Sequence, residues 1–130
     1  MYTVAKWAMP KLLDLASSNT NTTPSFVTTS GMLAKDLFPA MFSLATCKGG
    51  QYNLVHSLHK EYEPKGVHCP LVVVGGAVKD ESVVTNARNI AEETWKVFKQ
   101  PKHGGIFETL LLDPAYLEHV KNREQRGAQQ

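Results

Sequence analysis

The sequence predicts an α/β fold with about three parallel strands and helices on both faces of the sheet. Helix-type and strand-type patterns alternate along the chain. The stretch Leu71-Val72-Val73-Val74 is continuously apolar, which is typical of a strand covered on both faces. The sequence contains neither internal repeats nor a linker that would divide domains, so we expect residues 1–130 to form a single domain.

In the first half of the chain, two predicted helices flank a short strand. Residues 2–17 carry apolar side chains at roughly helical spacing, and a polar loop follows them as far as Pro24. Residues 26–29 are the first predicted strand. Residues 42–62 form a long helix, which Pro64-Lys65-Gly66 ends. The apolar faces of the two helices contain Val4, Trp7 and Leu12, and Leu44, Val55 and Leu58.

The second half repeats this alternation. The strand at 71–74 is followed by a polar loop and by a predicted helix over residues 83–99. A turn at 101–105 leads into a third strand at 106–112. Residues 114–130 are predicted to be a polar carboxy-terminal tail, whose basic residues lie in solvent.

The composition indicates a small soluble protein. At 130 residues and 42% apolar content, the chain is long enough to bury a core. Fourteen basic and twelve acidic residues nearly balance, so charge does not indicate a nucleic-acid partner. No apolar run approaches the roughly 20 residues that cross a membrane. We therefore expect a cytoplasmic protein without a membrane or nucleic-acid partner.

The cysteines and histidines do not predict a metal site. Cys47 and Cys69 are isolated from each other, and we expect both to be buried thiols. His56 and His59 lie three residues apart on one predicted helix, but a zinc site needs further ligands at compatible positions. No His-Glu-x-x-His pattern occurs. These two histidines are expected to face solvent or a subunit interface.

The segment 42–50, which reads FSLATCKGG, carries the main family resemblance. It resembles the start of the catalytic helix of the short-chain dehydrogenase/reductases, whose motif is Tyr-x-x-x-Lys. Lys48 fits the lysine of that motif. Leu44 stands at the tyrosine position, and its side chain has no proton to give or take.

Further segments extend the resemblance over nearly the whole chain. Ser30, in Thr28-Thr29-Ser30-Gly31, matches the family's catalytic serine. Residues 66–78 resemble the next strand and the loop after it, residues 89–95 a later helix, and residues 2–10 the helix that follows the family's structural asparagine. The resemblance implies a truncated, fungal-type member, its carboxy-terminal half, with a partial Rossmann-like three-layer unit as its fold.

The sequence lacks the glycine-rich turn of a dinucleotide site. Such a site needs a strand, a turn such as Gly-x-x-x-Gly-x-Gly or Gly-x-Gly-x-x-Gly, and a helix whose N–H groups hold the pyrophosphate. The glycine pairs at 49–50, 75–76 and 104–105 do not have this spacing. We therefore expect no NAD(P) cofactor, and no other cofactor is predicted.

The resemblance then implies a non-redox enzyme of isomerase, cyclase or dehydratase type, acting on an apolar small molecule in secondary metabolism. The predicted catalytic residues are the polar groups nearest the inherited site, Ser30, Ser43 and Lys48. The predicted substrate-binding residues are Gly75, Gly76 and Val78.

Two alternatives stay open. The chain is a pseudoenzyme that dimerises or binds a partner, or it is a truncated product whose nucleotide site comes from a separate chain. Leu44 counts against the second alternative, because a restored nucleotide site would still lack the tyrosine. In the enzyme and the pseudoenzyme alike, we expect a homodimer through the helices at 2–17 and 42–62.

Overall fold

The computed structural model describes residues 1–18 and 21–127. Within them, four α-helices and three β-strands alternate along the chain. The helices are α1 (Tyr2–Ser18), α2 (Phe42–Tyr62), α3 (Ala87–Phe98) and α4 (Pro114–Gly127). The strands are β1 (Thr28–Gly31), β2 (Leu71–Gly75) and β3 (Glu108–Leu112). Short 3₁₀ turns lie at Met32–Ala34, Pro39–Met41 and Glu63–Lys65.

The strands form one parallel sheet in the order β1-β2-β3. In the register, Leu71 of β2 lies opposite Thr28 on one side and Glu108 on the other. The apolar strand β2 is therefore central, which agrees with its four buried residues out of five. The predicted α/β fold class is confirmed.

Helices cover both faces of the sheet. On one face, Val55 of α2 packs with Leu71 and Val73. On the other face, Val97 of α3 packs with Val72 and Leu111. This alternation along β2 is the two-residue period of a strand and produces the three layers.

Helix α1 closes the amino end of the core. Its buried residues Met9 and Ala16 pack with Val67 and Cys69, which lie between α2 and β2. Leu12 of α1 and Leu58 of α2 pack against the same cluster. The fully buried Val55 belongs to the chain's own core and so cannot contact a second subunit. Leu12 and Leu58 are partly buried, and a subunit interface through α1 and α2 stays a prediction.

Several element boundaries differ from the sequence prediction. The first strand begins at Thr28 rather than at residue 26, because Ser25 forms only an isolated bridge to His68 before the ladder starts. Helix α3 begins at Ala87, because the Asn86 side chain accepts a hydrogen bond from the Asn89 N–H and caps the helix. The segment expected to be a polar tail forms α4 as far as Gly127, and residues 128–130 lie outside the described part.

The two cysteines differ in their surroundings. Cys69 is buried, and its burial raises the thiol pKa to about 12. Cys47 is exposed, so the prediction that both thiols are buried is wrong for this residue. The physical reason is its position on α2, whose buried side is marked by Ala45 and Val55.

In the described ranges, no helix is both long enough and apolar enough to span a bilayer.

Candidate functional site

A cavity of about 310 Å³ lies where β1 and β2 end. We call it the carboxyl-edge cavity. Carboxyl ends of parallel strands are the usual ligand-binding edge of open α/β sheets, because the loops that follow the strands diverge there. The cavity is lined by Gly31, Met32, Leu33, Asp36, Phe38, Met41, Val74, Gly76, Tyr116, His119 and Arg123.

An apolar groove adjoins this cavity and shares Phe38 with it. Its volume is about 330 Å³. The remaining lining residues are Leu37, Pro39, Phe42, Ala45 and Thr46. The groove and the cavity together offer an apolar surface with polar groups concentrated at one end.

Three side chains form the polar end of the cavity. The Tyr116 hydroxyl donates a hydrogen bond of 2.8 Å to Oδ2 of Asp36. The Arg123 guanidinium donates to Oδ1 of the same carboxylate and forms an ion pair with it. Asp36 thus joins the loop after β1 to two residues of α4.

The pKa values of this group follow from burial and from the shared carboxylate. Burial alone would raise the pKa of Asp36, but the hydrogen bonds from Tyr116 and Arg123 outweigh burial and lower it. Burial raises the pKa of Tyr116 to about 12, with the adjacent negative charge of Asp36 as a further cause. At neutral pH, therefore, Asp36 is ionised and Tyr116 is a protonated phenol.

His119 lines the same cavity, between Tyr116 and Arg123 on α4. Residues three and four apart on a helix share a face, so the spacing 116, 119 and 123 presents all three side chains to the same side. An imidazole exchanges protons readily near neutral pH, a phenol can donate one, and a guanidinium stabilises negative charge. The cavity therefore holds the groups that proton-transfer chemistry requires.

Asp113 stabilises the start of α4, the helix that carries Tyr116, His119 and Arg123. Its carbonyl accepts the Leu117 N–H, and its Oδ1 accepts the Ala115 N–H at 2.9 Å, so Asp113 caps the amino end of α4. Pro114 follows at the first helical position, where its missing N–H costs nothing. The Asp-Pro pair is the sequence signal from which α4, and with it Tyr116, His119 and Arg123, could have been predicted.

Asp113 also fixes the loop between β2 and α3. Its Oδ2 accepts hydrogen bonds from Ser82 and, at 3.2 Å, from Thr85. The carbonyl oxygen of Ala77, 2.8 Å from the Thr85 hydroxyl, is the alternative acceptor for its single hydrogen. This buried network holds the segment after Gly76 against the start of α4.

The structure separates the three predicted catalytic residues from the cavity lining. The Lys48 ammonium donates to the Gln51 side chain at 3.3 Å, and the Gln51 amide donates to the Thr29 carbonyl at 3.0 Å. The Ser30 hydroxyl is buried without a hydrogen-bond partner among the described residues. Ser43 is exposed at the start of α2.

Of the predicted substrate-binding residues, Gly76 lines the cavity. Its φ of +123° is a backbone conformation that favours glycine, and an added Cβ would lie 2.7 Å from Cβ of Asp113. Gly75 is buried beneath Leu112 and Tyr116. Val78 is 61% exposed and does not line the cavity.

A second polar cluster lies at the opposite, amino end of the sheet. His59, Glu63 and His68 bring one potential ligand atom each to within 4.8 Å of one another. His56 stacks on Phe107 with ring centroids 4.5 Å apart, and His59 lies 5.1 Å from the same ring. Both rings pack on Phe107, so His56 and His59 are only partly exposed, and a subunit interface at these histidines stays a prediction.

Comparisons with known proteins identify the fold. A solved short-chain dehydrogenase from Rhodopseudomonas palustris superposes with a TM-score of 0.57 at 17% sequence identity. The protein has a short-chain-dehydrogenase-like fold. The match covers 74% of this chain and 40% of the length of the dehydrogenase. No protein-family model matches the sequence, and no curated protein matches significantly.

This likeness concerns the fold, and the assignment of Ser30 and Lys48 to the family's catalytic motif, with Leu44 at the tyrosine position, stays a prediction. Leu44 is 46% exposed on α2. That the chain corresponds to a fungal-type carboxy-terminal half, and that it binds no nicotinamide cofactor, stay predictions.

Proposed function

We propose that the protein is a cofactor-independent enzyme of isomerase or dehydratase type that acts on an apolar small molecule bound in the carboxyl-edge cavity. The observation that supports this proposal is the Tyr116 phenol, hydrogen-bonded to Asp36 at 2.8 Å within an otherwise largely apolar lining. The adjoining apolar groove gives a longer substrate room to extend.

In this proposal the substrate carries a carbonyl group. When the substrate binds, the Tyr116 hydroxyl turns its one hydrogen from Asp36 to the carbonyl oxygen. That oxygen also lies in the positive field of Arg123, which stabilises developing negative charge. His119 removes a proton from the neighbouring carbon. The electrons of that C–H bond form the C=C bond of an enol, and the oxygen takes up the phenolic proton.

The enol can then react in two ways without any oxidant. If the substrate has a C=C bond between its β and γ carbons, the enol is a dienol. His119 then delivers its proton to the γ carbon, the enol O–H returns its proton to Tyr116, and the result is an isomerisation. If instead a hydroxyl group on the β carbon leaves, taking the proton from His119, the enol O–H again returns its proton to Tyr116, and the products are water and an unsaturated carbonyl compound. Asp36 acts as a positioning residue, since it is already hydrogen-bonded to both Tyr116 and Arg123.

Ser30, Ser43 and Lys48 form the competing assignment within the same proposed function. Lys48 is half-buried and connected through Gln51 to β1, so a role for its ammonium requires the substrate to extend toward α2. Lys48→Met removes this donor and keeps a side chain of similar size. An enzyme that works through Tyr116 and His119 retains activity in Lys48→Met and loses it in Tyr116→Phe.

The test is proton exchange in D₂O. A panel of apolar ketones is incubated with the wild-type protein, and deuterium uptake next to the carbonyl is followed by NMR. We expect deuterium uptake above the buffer rate for some of these ketones, and a rate at least about 100-fold lower in Tyr116→Phe and in His119→Gln.

Tyr116→Phe also removes a hydrogen bond to a charged group, which should lower the stability by roughly 1–2 kcal/mol. Unfolding curves of each variant must therefore accompany the exchange rates. Buffer-level exchange for every ketone would reject the proposal.

The alternative, a pseudoenzyme that serves as a dimerising module, draws support from exposed apolar side chains. Trp7 is 66% exposed and Val4 53% on α1, and Phe42 is 76% and Leu44 46% exposed at the start of α2. Water-exposed groups of this size favour contact with a second copy. We expect sedimentation to show a dimer at micromolar concentration. Trp7→Glu should weaken this dimer, whereas Arg88→Glu, at an exposed position on α3, should not.

A further inference from the structure

His59, Glu63 and His68 converge on one point at the amino end of the sheet. Nδ1 of His68 lies 3.1 Å from Oε2 of Glu63, and Nδ1 of His59 lies 4.0 Å from the same oxygen. Both imidazoles therefore face a single carboxylate oxygen. Ligand atoms around a tetrahedral metal ion lie at comparable separations, because each is about 2.0–2.2 Å from the metal.

The hydrogen bonds of the described residues leave this cluster unsatisfied. Nδ1 of His59 is buried and has no hydrogen-bond partner. The His68 side chain is fully buried, and its Nε2 also has no partner there. Buried polar atoms are normally paired, so the unpaired Nδ1 of His59, which faces the Glu63 carboxylate, indicates that something else completes the group.

The backbone holds the three side chains in place. His59 and Glu63 are one helical turn apart at the end of α2, and Gly66, with φ of +83°, reverses the chain toward His68. The His68 N–H donates to the Pro24 carbonyl at 2.9 Å, which fixes it beside β1. A segment of ten residues thus supplies all three groups from rigid positions.

Gly105 completes the surroundings of the cluster. Its N–H donates to Oε1 of Glu63 at 3.1 Å, which orients the carboxylate and leaves Oε2 for the two imidazoles. A Cβ at Gly105 would lie 2.4 Å from Cε1 of His68, so only glycine allows this close approach. An outer hydrogen bond that orients a carboxylate ligand is typical of protein metal sites.

We propose that His59, Glu63 and His68 form a binding site for a divalent cation of the zinc class. Two imidazole nitrogens and one carboxylate oxygen suit zinc and its first-row neighbours. Magnesium and calcium prefer oxygen ligands only, so they bind weakly here. The partial exposure of His59 and Glu63, 18% and 13% of their side chains, allows a water molecule to be the fourth ligand.

The cation joins the end of α2 to the start of β2. It lies at the end of the sheet opposite the carboxyl-edge cavity, so this proposal does not depend on the proposed enzyme activity. Its consequence is stability, because a ligand that binds the folded state alone raises the unfolding temperature. At a zinc concentration about 100-fold above Kd, we expect a rise of roughly 10 °C.

The test uses the full chain without a histidine tag, in a Cys47→Ser background that removes the exposed thiol, after treatment with EDTA. Calorimetric titration with ZnCl₂ should give one site per chain, and CoCl₂ should produce the visible absorption of a four-coordinate site. His59→Gln and Glu63→Gln should each weaken zinc binding by about 100-fold or more. A residue that only orients a ligand through a hydrogen bond would cost about 10- to 100-fold, so a larger loss identifies a direct ligand. His103→Gln, at an exposed histidine, should bind as the background protein does.

Either of two results overturns the proposal. One is the absence of saturable zinc binding in the folded Cys47→Ser protein. The other is unchanged zinc affinity in both His59→Gln and Glu63→Gln. Because both residues are half-buried rather than fully buried, these variants test the site without replacing the core residue His68. Circular dichroism of each variant verifies that it is folded before titration.

Discussion

The Tyr116 hydroxyl lies 2.8 Å from the Asp36 carboxylate, although 80 positions separate the two residues in sequence. This hydrogen bond joins α4 to the loop after β1 and closes one side of the carboxyl-edge cavity. It also shifts the two pKa values in opposite directions: it lowers the pKa of the Asp36 carboxyl and raises the pKa of the Tyr116 phenol. The contact therefore both joins two elements and keeps Asp36 ionised and Tyr116 protonated.

The phenol of Tyr116 should titrate near pH 12. Asp36→Asn removes the adjacent negative charge but leaves most of the burial, so the pKa should fall part of the way toward the ordinary value of about 10. NMR of protein labelled at the tyrosine ring carbons distinguishes Tyr116 from the other tyrosines. A Tyr116 midpoint that stays unchanged in Asp36→Asn would contradict the assignment of Asp36 as a cause.

The same shift makes stability depend on alkaline pH. The Tyr116 phenol loses its proton more readily in the unfolded chain, so its contribution to stability is complete below about pH 10 and declines as the pH rises toward 12. Tyr116→Phe lacks this ionisation. Its urea midpoint should therefore fall less steeply than that of the wild type over this range.

Asp113 should make the protein sensitive to acid. Hydrogen bonds from Ser82, the Ala115 N–H and Thr85 outweigh desolvation and lower its pKa. A lowered pKa gives stability that is present above about pH 3.9, the ordinary value, and is lost as pH falls through the folded-state value. Asp113→Asn should remove this part of the acid slope, as measured by urea unfolding between pH 2 and 6. Asp36 also has a lowered pKa, so the same measurement on Asp36→Asn separates its share of the acid slope from that of Asp113.

Gly76 and Gly49 should respond oppositely to alanine. At Gly76, the φ of +123° and the 2.7 Å approach to Asp113 both oppose a side chain, so Gly76→Ala should cost about 1–3 kcal/mol. At Gly49, within α2, an added Cβ meets nothing within 4 Å. Gly49→Ala should stabilise the protein by about 0.5–1 kcal/mol, because alanine favours helix. Thermal unfolding of both variants measures the contrast, and equal effects would refute it.

Nicotinamide cofactors should not bind in the micromolar range. The sequence has no glycine-rich turn to hold a pyrophosphate, and Leu44 stands where the related motif has its proton donor. Calorimetric titration with NADPH and NADH is the measurement. Leu44→Tyr should leave the result unchanged, because a phenol beside Lys48 does not create a nucleotide site. Saturable binding to the wild-type protein would refute the prediction.

The central part of the fold was predictable from the sequence because local signals were strong there. The apolar run at residues 71–74 indicated a strand with helices on both sides, and the structure places β2 at the centre of the sheet. Helix α4 was missed because its residues are mostly polar, so the segment resembled a solvated end. The helix forms despite this polar composition, and Asp113 followed by Pro114 is the sequence signal that marks its start.

The polar groups of the cavity were harder to predict than the strands. Tyr116 and Asp36 meet only after α4 docks beside the loop that follows β1, and no short motif contains both residues. The same limitation applies to His59, Glu63 and His68. Sequence spacing suggests that the first two share a helix face, but the reversal at Gly66 decides where His68 lies.

The hydrogen bond from the Gln51 amide to the Thr29 carbonyl has a consequence for self-association. β1 is an edge strand, and because Thr28 donates its N–H toward β2, the peptide groups of Thr29 point away from the sheet. An outward carbonyl of this kind is a template for a strand of another molecule. Gln51 occupies that acceptor with a side chain and so blocks sheet-to-sheet pairing. Gln51→Ala should therefore leave this edge free to pair with a strand of another molecule without altering the core.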